Sequence, residues 1–271
     1  MTASATLTDA IGRAHAPVAP SRAGVRIVSL VPSVTELLFD LGLAECIVGR
    51  TGFCVHPADR VGAVPKVGGT KDVNIDKIRR LAPTHLVVNI DENEKPTVDT
   101  LAGFVPNVVV THPMGPRDNL GMFRLLGGIF AAGERADALC AAFESVHARL
   151  RAAAAAARRK RVLYCIWKDP WMSVSRDTYI ARMLAEIGWQ QVALPDERRY
   201  PAFRWSDALV DGIDEVLLSS EPYRFTEEHA DALERQLGKP VRLLDGEMVS
   251  WYGSRAILGL DYLRGLLEQE R

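Results

Sequence analysis

ERADALCAAFESVHARLRAAAAAARR, residues 134–159, decides how this chain is organised. The run has no Gly or Pro and is rich in Ala, Leu, Arg and Glu, residues that lose little freedom on entering a helix. It predicts one uninterrupted helix of roughly 26 residues, about 39 Å long at about 1.5 Å per residue. That reach is enough to join two lobes, and strand and helix signals alternate on either side of it.

Upstream, VRIVSLVPS from Val25 reads as a buried strand, followed at once by a helix in which Ser33 is the N-cap, Glu36 completes a capping-box spacing and Gly42 marks the stop. A short strand follows at 47–49. NIDKIRRLAP (74–83), THLVVNI (84–90), a helix at 97–104, NVVVTH (107–112) and a helix at 119–132 continue the alternation. Downstream, RVLYCIW (161–167), TYIARMLAEIG (178–188), DEVLLSS (214–220), TEEHADALERQLG (226–238), VRLLD (241–245) and a terminal helix from Ser254 repeat the grammar without repeating the sequence. The expected fold is α/β, with two Rossmann-like lobes of mostly parallel sheet, one long rigid bridging helix and a ligand cleft between the lobes. The divisions are a flexible N-terminal segment at 1–24, an N-terminal lobe at 25–132, the bridging helix at 133–159 and a C-terminal lobe at 160–271.

The chain has 271 residues, 48% of them hydrophobic, and 33 basic against 34 acidic side chains leave a net charge of -1. With no basic stripe, nucleic acid is not an expected partner. No stretch approaches the ~20 apolar residues of a membrane helix. Residues 1–24 lack the apolar run of an export signal, so the expected compartment is the cytoplasm, with the periplasm as the alternative. Cys46, Cys54, Cys140 and Cys165 show no metal-ligand spacing and read as thiols, with a Cys46–Cys54 disulfide as the alternative for an exported protein.

Ligands of open α/β sheets bind beyond the carboxyl ends of the strands, so the residues that follow each strand are the candidates. In the first half these are Pro32, Ser33, Arg50, Thr51, Phe53, Thr70, Lys71, Glu92 and neighbouring Asp91 and His112; in the second half they are Trp167, Lys168, Trp171, Glu221, Tyr223, Arg224, Glu247, Trp251 and Tyr252. Trp167, Trp171 and Trp251 in strand-end loops suit a flat apolar ligand, or each packs beneath its own loop. Trp189 and Trp205 read as structural. The Gly-Gly-Thr-Lys run at 68–71 can cradle an oxyanion through backbone N–H groups or simply form a tight turn. His56 and His112, with Asp91 or Glu92 and Glu247 as conceivable partners, are the candidates for a bare metal site, and their spacing alone does not make one. No GxSxG elbow or ordered Ser, His and acid set is present, so the chain is not expected to be an enzyme and no intrinsic cofactor is expected.

RIVSLVPSVTELLFDLG (26–42), VGGTKDVNIDKIRRLAPTHLVV (67–88), the long helix and DPWMSVSRDTYIARMLAEIG (169–188), completed by LLSSEPYRF and DGEMVSWYGSR, resemble the class III periplasmic binding proteins. This is the helical-backbone metal-receptor group that includes vitamin-B12-binding proteins, and the resemblance spans about residues 25–268. It implies a monomer that captures a cobalamin-like corrinoid or another metal chelate, such as haem or a ferric siderophore, and delivers it to an ABC permease. It also implies docking through one acidic residue per lobe, here Asp76 and Asp207 where glutamate is usual. The positions where aromatic residues flank cobalamin match Thr70 and Ile90. Competing readings are a cytosolic enzyme and a divalent-metal chaperone that use the same cleft.

Overall fold

The computed structural model describes residues 7–270. They fall into two compact units: the first reaches Pro113 and resumes over Arg117–Ala141, while the second takes Met114–Pro116 and the chain from Ala142 onward.

In the first unit four strands lie side by side in the order Ile47–Arg50, Ile27–Ser29, His85–Asn89 and Asn107–Thr111, all parallel. Strands covered on both faces need apolar residues at successive positions, which is why these segments read as continuous β-branched runs. Val28, Leu30, Leu86, Val88, Val108 and Val110 pack with Ile78 and Leu101 from the flanking helices into one core. Parallel pairing has a further consequence: Ser29, Arg50, Asn89 and Thr111 all end at one edge of the sheet.

Helix Pro32–Asp40 begins two residues earlier than the capping signal suggested. Pro32 occupies its first turn, and the N-cap is Val31, with no side-chain cap. Proline suits that position because its fixed φ is helical and its missing N–H would have had no partner. Ser33 is therefore a residue of the first turn and not the cap. By contrast, helix Ile75–Leu81 has the cap its sequence announces, with Asn74 Oδ1 accepting from the Lys77 N–H at 2.8 Å.

The N-terminal segment expected to be a flexible lead is built into the first unit from residue 7 onward; residues 1–6 lie outside the described residues. Leu7–Thr8 pairs antiparallel with Ala14–His15. Asp9 between them is buried, accepts from the Arg13 N–H at 2.9 Å and the Val110 N–H at 3.1 Å, and meets His15 Nε2 at 3.1 Å. The Ala10 N–H in turn donates to the Val110 carbonyl. The hairpin thus satisfies backbone groups on the outer strand Asn107–Thr111, an edge otherwise open to pairing with other chains.

Helix Gly133–Ala154 is continuous for 22 residues and runs from the first unit into the second. At about 33 Å it is shorter than the composition of 133–159 predicts. The alanines have the propensity to continue, but Ala157 turns back onto Ala154 and Lys160 donates its N–H to the Gly188 carbonyl, which starts the next sheet. Strand pairing overrides local preference there.

The second unit carries strands Val241–Leu244, Glu215–Ser219 and Lys160–Trp167, all parallel. Along the free side of Lys160–Trp167 two short strands pair in tandem, Trp189–Gln191 parallel at its start and Met172–Ser173 antiparallel at its end. Its core joins Leu163, Cys165, Ile213, Val216, Leu218, Phe225 and Leu233. At the base, Glu215 bridges Lys160 and Arg242, each at 2.7 Å, and both cations also reach Glu270 and lie over the Trp189 ring. All four cysteines are buried free thiols. Among the described residues no helix is long and apolar enough to cross a membrane.

Candidate functional site

At the strand ends of the first unit, polar side chains tie the loops together. Asn93 is the centre of this rim: its amide nitrogen donates to the carbonyls of Leu30 at 3.2 Å and Thr70 at 3.0 Å, and its Oδ1 accepts from the Asn89 N–H at 2.9 Å. One buried amide therefore latches the ends of two strands to the 68–73 turn. Asn89 Oδ1 caps the following turn by accepting from the Asp91 N–H. Sequence reading passed over both asparagines, because their partners lie up to 63 residues away and nothing local marks them.

Arg50, expected from its strand-end position to orient a ligand, is engaged by backbone carbonyls in this structure. It is buried, and its guanidinium donates to the carbonyls of Val61, Thr51 and Cys54, each at 3.1 Å, which braces the loop beneath it. Thr51 is buried in the same loop and contacts the Cys54 sulfur. The glycines at 68 and 69 form a tight turn: Gly68 has φ +109°, a Cβ there would lie 2.3 Å from the Asp72 carbonyl oxygen, and the Gly69 N–H donates to that oxygen. That amide is consequently closed to an oxyanion. Phe53, packed against Gly69, is 62% exposed, and Ile90 is 46% exposed. Lys71 is exposed with no carboxylate partner, Thr70 and Glu92 are half-buried, and Pro32 and Ser33 are buried at the first helix turn. Ser33 Oγ has no hydrogen-bond partner.

Aromatic packing builds the second rim. Trp171 stacks on Phe225 with centroids 5.8 Å apart and meets Trp205 and Phe203 edge-on or tilted, so it packs beneath its loop. Trp251 is buried too, with Nε1 donating to Glu221 Oε1 at 2.8 Å and Arg255 lying over its ring. Tyr252 is buried edge-on to Tyr179. Of the three strand-end tryptophans Trp167 is the exposed one, at 40% and braced edge-on by Tyr223, while Trp171 is half-buried. Arg224 beside them is exposed with no carboxylate partner, whereas Glu247 pairs with Arg255 at 3.2 Å. Burial pushes the Glu221 carboxyl above the usual range, although Ser250 and Trp251 donate to it. Glu221, one of the strand-end candidates, holds Trp251 in place and is a positioning residue.

His112 faces Asp91 at 3.4 Å, and His56 is half-buried. Among the described residues no three His, Cys, Asp or Glu side chains gather as a metal site. Asp76 and Asp207 are placed alike: each is an exposed carboxylate in the first turn of a short helix, Ile75–Leu81 and Asp207–Asp211, behind a polar N-cap, and neither has an ion-pair partner.

A family model described as periplasmic binding protein matches residues 27–207. The chain belongs to the periplasmic binding protein family. No curated protein sequence matches it. Solved structures that share the fold include the periplasmic vitamin B12 binding protein of Vibrio cholerae (17% identity, TM-score 0.76, covering 91% of this chain and 98% of that one). A periplasmic heme-binding protein from Roseiflexus sp. RS-1 in apo form gives 21% identity and a TM-score of 0.75 over 90% and 98%. A periplasmic heme binding protein from Pseudomonas aeruginosa gives 20% and 0.76 over 89% and 92%. As a periplasmic binding protein the chain is a solute binder and not an enzyme. The family also corrects the compartment: the cytoplasmic expectation rested on the composition of residues 1–24, whereas the family is that of periplasmic binding proteins.

Proposed function

We propose that this protein captures a flat metal chelate of the haem or corrinoid class on its strand-end rims and presents it to an ABC permease. The observation that carries the reading is the exposure of Phe53, Ile90 and Trp167 where α/β folds bind ligands. Large apolar side chains held in water at such positions favour a ligand that covers them. Lys71 and Arg224, cations without carboxylate partners, suit the acidic groups at the periphery of haem or the phosphate of a cobalamin. Thr70, Glu92 and Tyr223, each half-buried, complete the ligand-facing set, whereas Pro32, Ser33 and Thr51 are buried. The heme- and B12-binding proteins of the same fold support this ligand class. Asp76 and Asp207 are the docking carboxylates, each open to a basic residue of the permease.

Titrating the full chain with hemin and, separately, cyanocobalamin, followed by visible absorbance and tryptophan quenching, tests the proposal. One of the two should saturate at 1:1. Trp167→Ala with Phe53→Ala should weaken that binding at least tenfold, about 1.4 kcal/mol. No response to either chelate, or unchanged affinity in the double variant, rejects the assignment. Asp76→Lys with Asp207→Lys should abolish stimulation of the reconstituted permease's ATPase while leaving chelate affinity unchanged.

A further inference from the structure

The second unit contains a recess of about 700 Å³ formed entirely by its own residues, none of them Trp167, Tyr223 or Trp251. It runs along the sheet edge where Trp189–Gln191 pairs with the start of Lys160–Trp167, and Arg161 and Gln190 lie in its wall. Arg161 and Gln190 stand at the opposite end of that strand from the rim, while Phe203, also in the wall, packs against Trp171 of the rim. The volume is in the range of small-molecule sites.

Its chemistry is amphipathic. Val192, Leu194, Phe203 and Leu209 supply apolar walls, and three guanidinium groups, from Arg161, Arg176 and Arg204, line the same space. Arg161 is neutralised by Asp214 at 2.9 Å. Arg176 donates only Nε, to the Gln191 carbonyl at 2.8 Å, and has no carboxylate partner; Arg204 is exposed and has none either. The recess does contain one carboxylate, Asp196, but Arg198 engages it through both oxygens. Two cations without counter-ions thus share an apolar hollow. Beside Arg204, the Trp205 indole N–H is buried without an acceptor.

We propose that this recess is a second ligand site, one that takes a small amphipathic anion: an apolar body against Val192, Leu194, Phe203 and Leu209, and a carboxylate, sulfonate or phosphate between Arg176 and Arg204. Planar guanidiniums bind such oxyanions with paired hydrogen bonds, more strongly than a neutral donor does. The strand-end ligand is not involved, so the site can be occupied with or without it.

The test uses two probes of similar shape, the anionic anilinonaphthalene sulfonate and the neutral N-phenyl-1-naphthylamine, with the full chain and fluorescence as readout. The sulfonate should bind with 1:1 stoichiometry and at least tenfold more tightly than the neutral probe. Arg176→Gln with Arg204→Gln should remove at least that tenfold preference, with the circular dichroism spectrum unchanged. Ala193→Glu, which adds a carboxylate at an exposed position of the wall, should do the same without touching either arginine. Trp167→Ala should leave sulfonate binding intact. The proposal fails if the sulfonate shows no preference over the neutral probe, if neither recess variant weakens it, or if Trp167→Ala abolishes it.

Discussion

The two strand-end rims reach rigidity by different means. In the first unit Asn93, Asn89 and Arg50 hold the loops through hydrogen bonds to distant backbone carbonyls and amides. In the second, Trp171, Phe225, Phe203 and Trp205 hold theirs by ring packing, with Glu221 fixing Trp251 as the main polar tie. Polar latches are directional and leave apolar residues such as Phe53 and Ile90 free to face outward. Stacked rings consume most of the aromatic surface and leave Trp167 as the exposed member. The two rims are thus supported by two kinds of interaction, and they should fail in different ways.

The sharpest break is Trp171→Ala. Removing the ring from its stack on Phe225 should destabilise the protein by about 3 kcal/mol, as for other packed aromatic truncations, read as a lower midpoint in urea. Hydrogen exchange should show the loss concentrated at the second rim; equal loss at the first would mean that the rims are not separately supported.

Acid should act on the first unit. His85 is buried in its central strand against Phe130, and burial, with the nearby His15 charge, lowers its pKa to about 4 from 6.5. The unfolded chain therefore takes up this proton before the folded one does, so stability present above pH 6.5 falls as the pH drops towards 4, by about 1.4 kcal/mol per pH unit over that window. His85→Gln should flatten that part of the pH–stability curve, and a slope equal to wild type would place the acid sensitivity elsewhere.

A smaller effect is expected for Asn93→Ala. It leaves the Asn89 N–H and the Leu30 and Thr70 carbonyls without their partner, at a cost of about 2 kcal/mol. Faster amide exchange at 89–93 and around residue 70 should accompany it. Smallest of all is Trp167→Ala: an exposed ring should change stability by less than about 0.5 kcal/mol while weakening chelate binding. A large fall in its melting temperature would show that the ring serves the core and not a guest.

Much of the fold was readable because its signals are local. Apolar β-branched runs, Asn74 before an amphipathic helix and a helix free of glycine and proline each declare themselves within a few residues. The errors have equally specific causes. Ser33 looked like a cap because its spacing to Glu36 is right, but Pro32 had already begun the helix. Arg50 and Trp251 stand after strands as ligand contacts would, yet carbonyls and a carboxylate from other parts of the chain take their polar groups. Position after a strand selects candidates; it does not say which way a side chain turns.

By itself, the order of residues determined the alternation of strand and helix, the continuous helix that both units share and the neutral surface charge, since each depends on backbone preference or composition. Only the tertiary structure decided which aromatics stay exposed, which polar groups are already satisfied, and where two arginines stand without counter-ions beside an apolar hollow. Those are properties of residues far apart in the chain, and no short stretch of it encodes the distance between them.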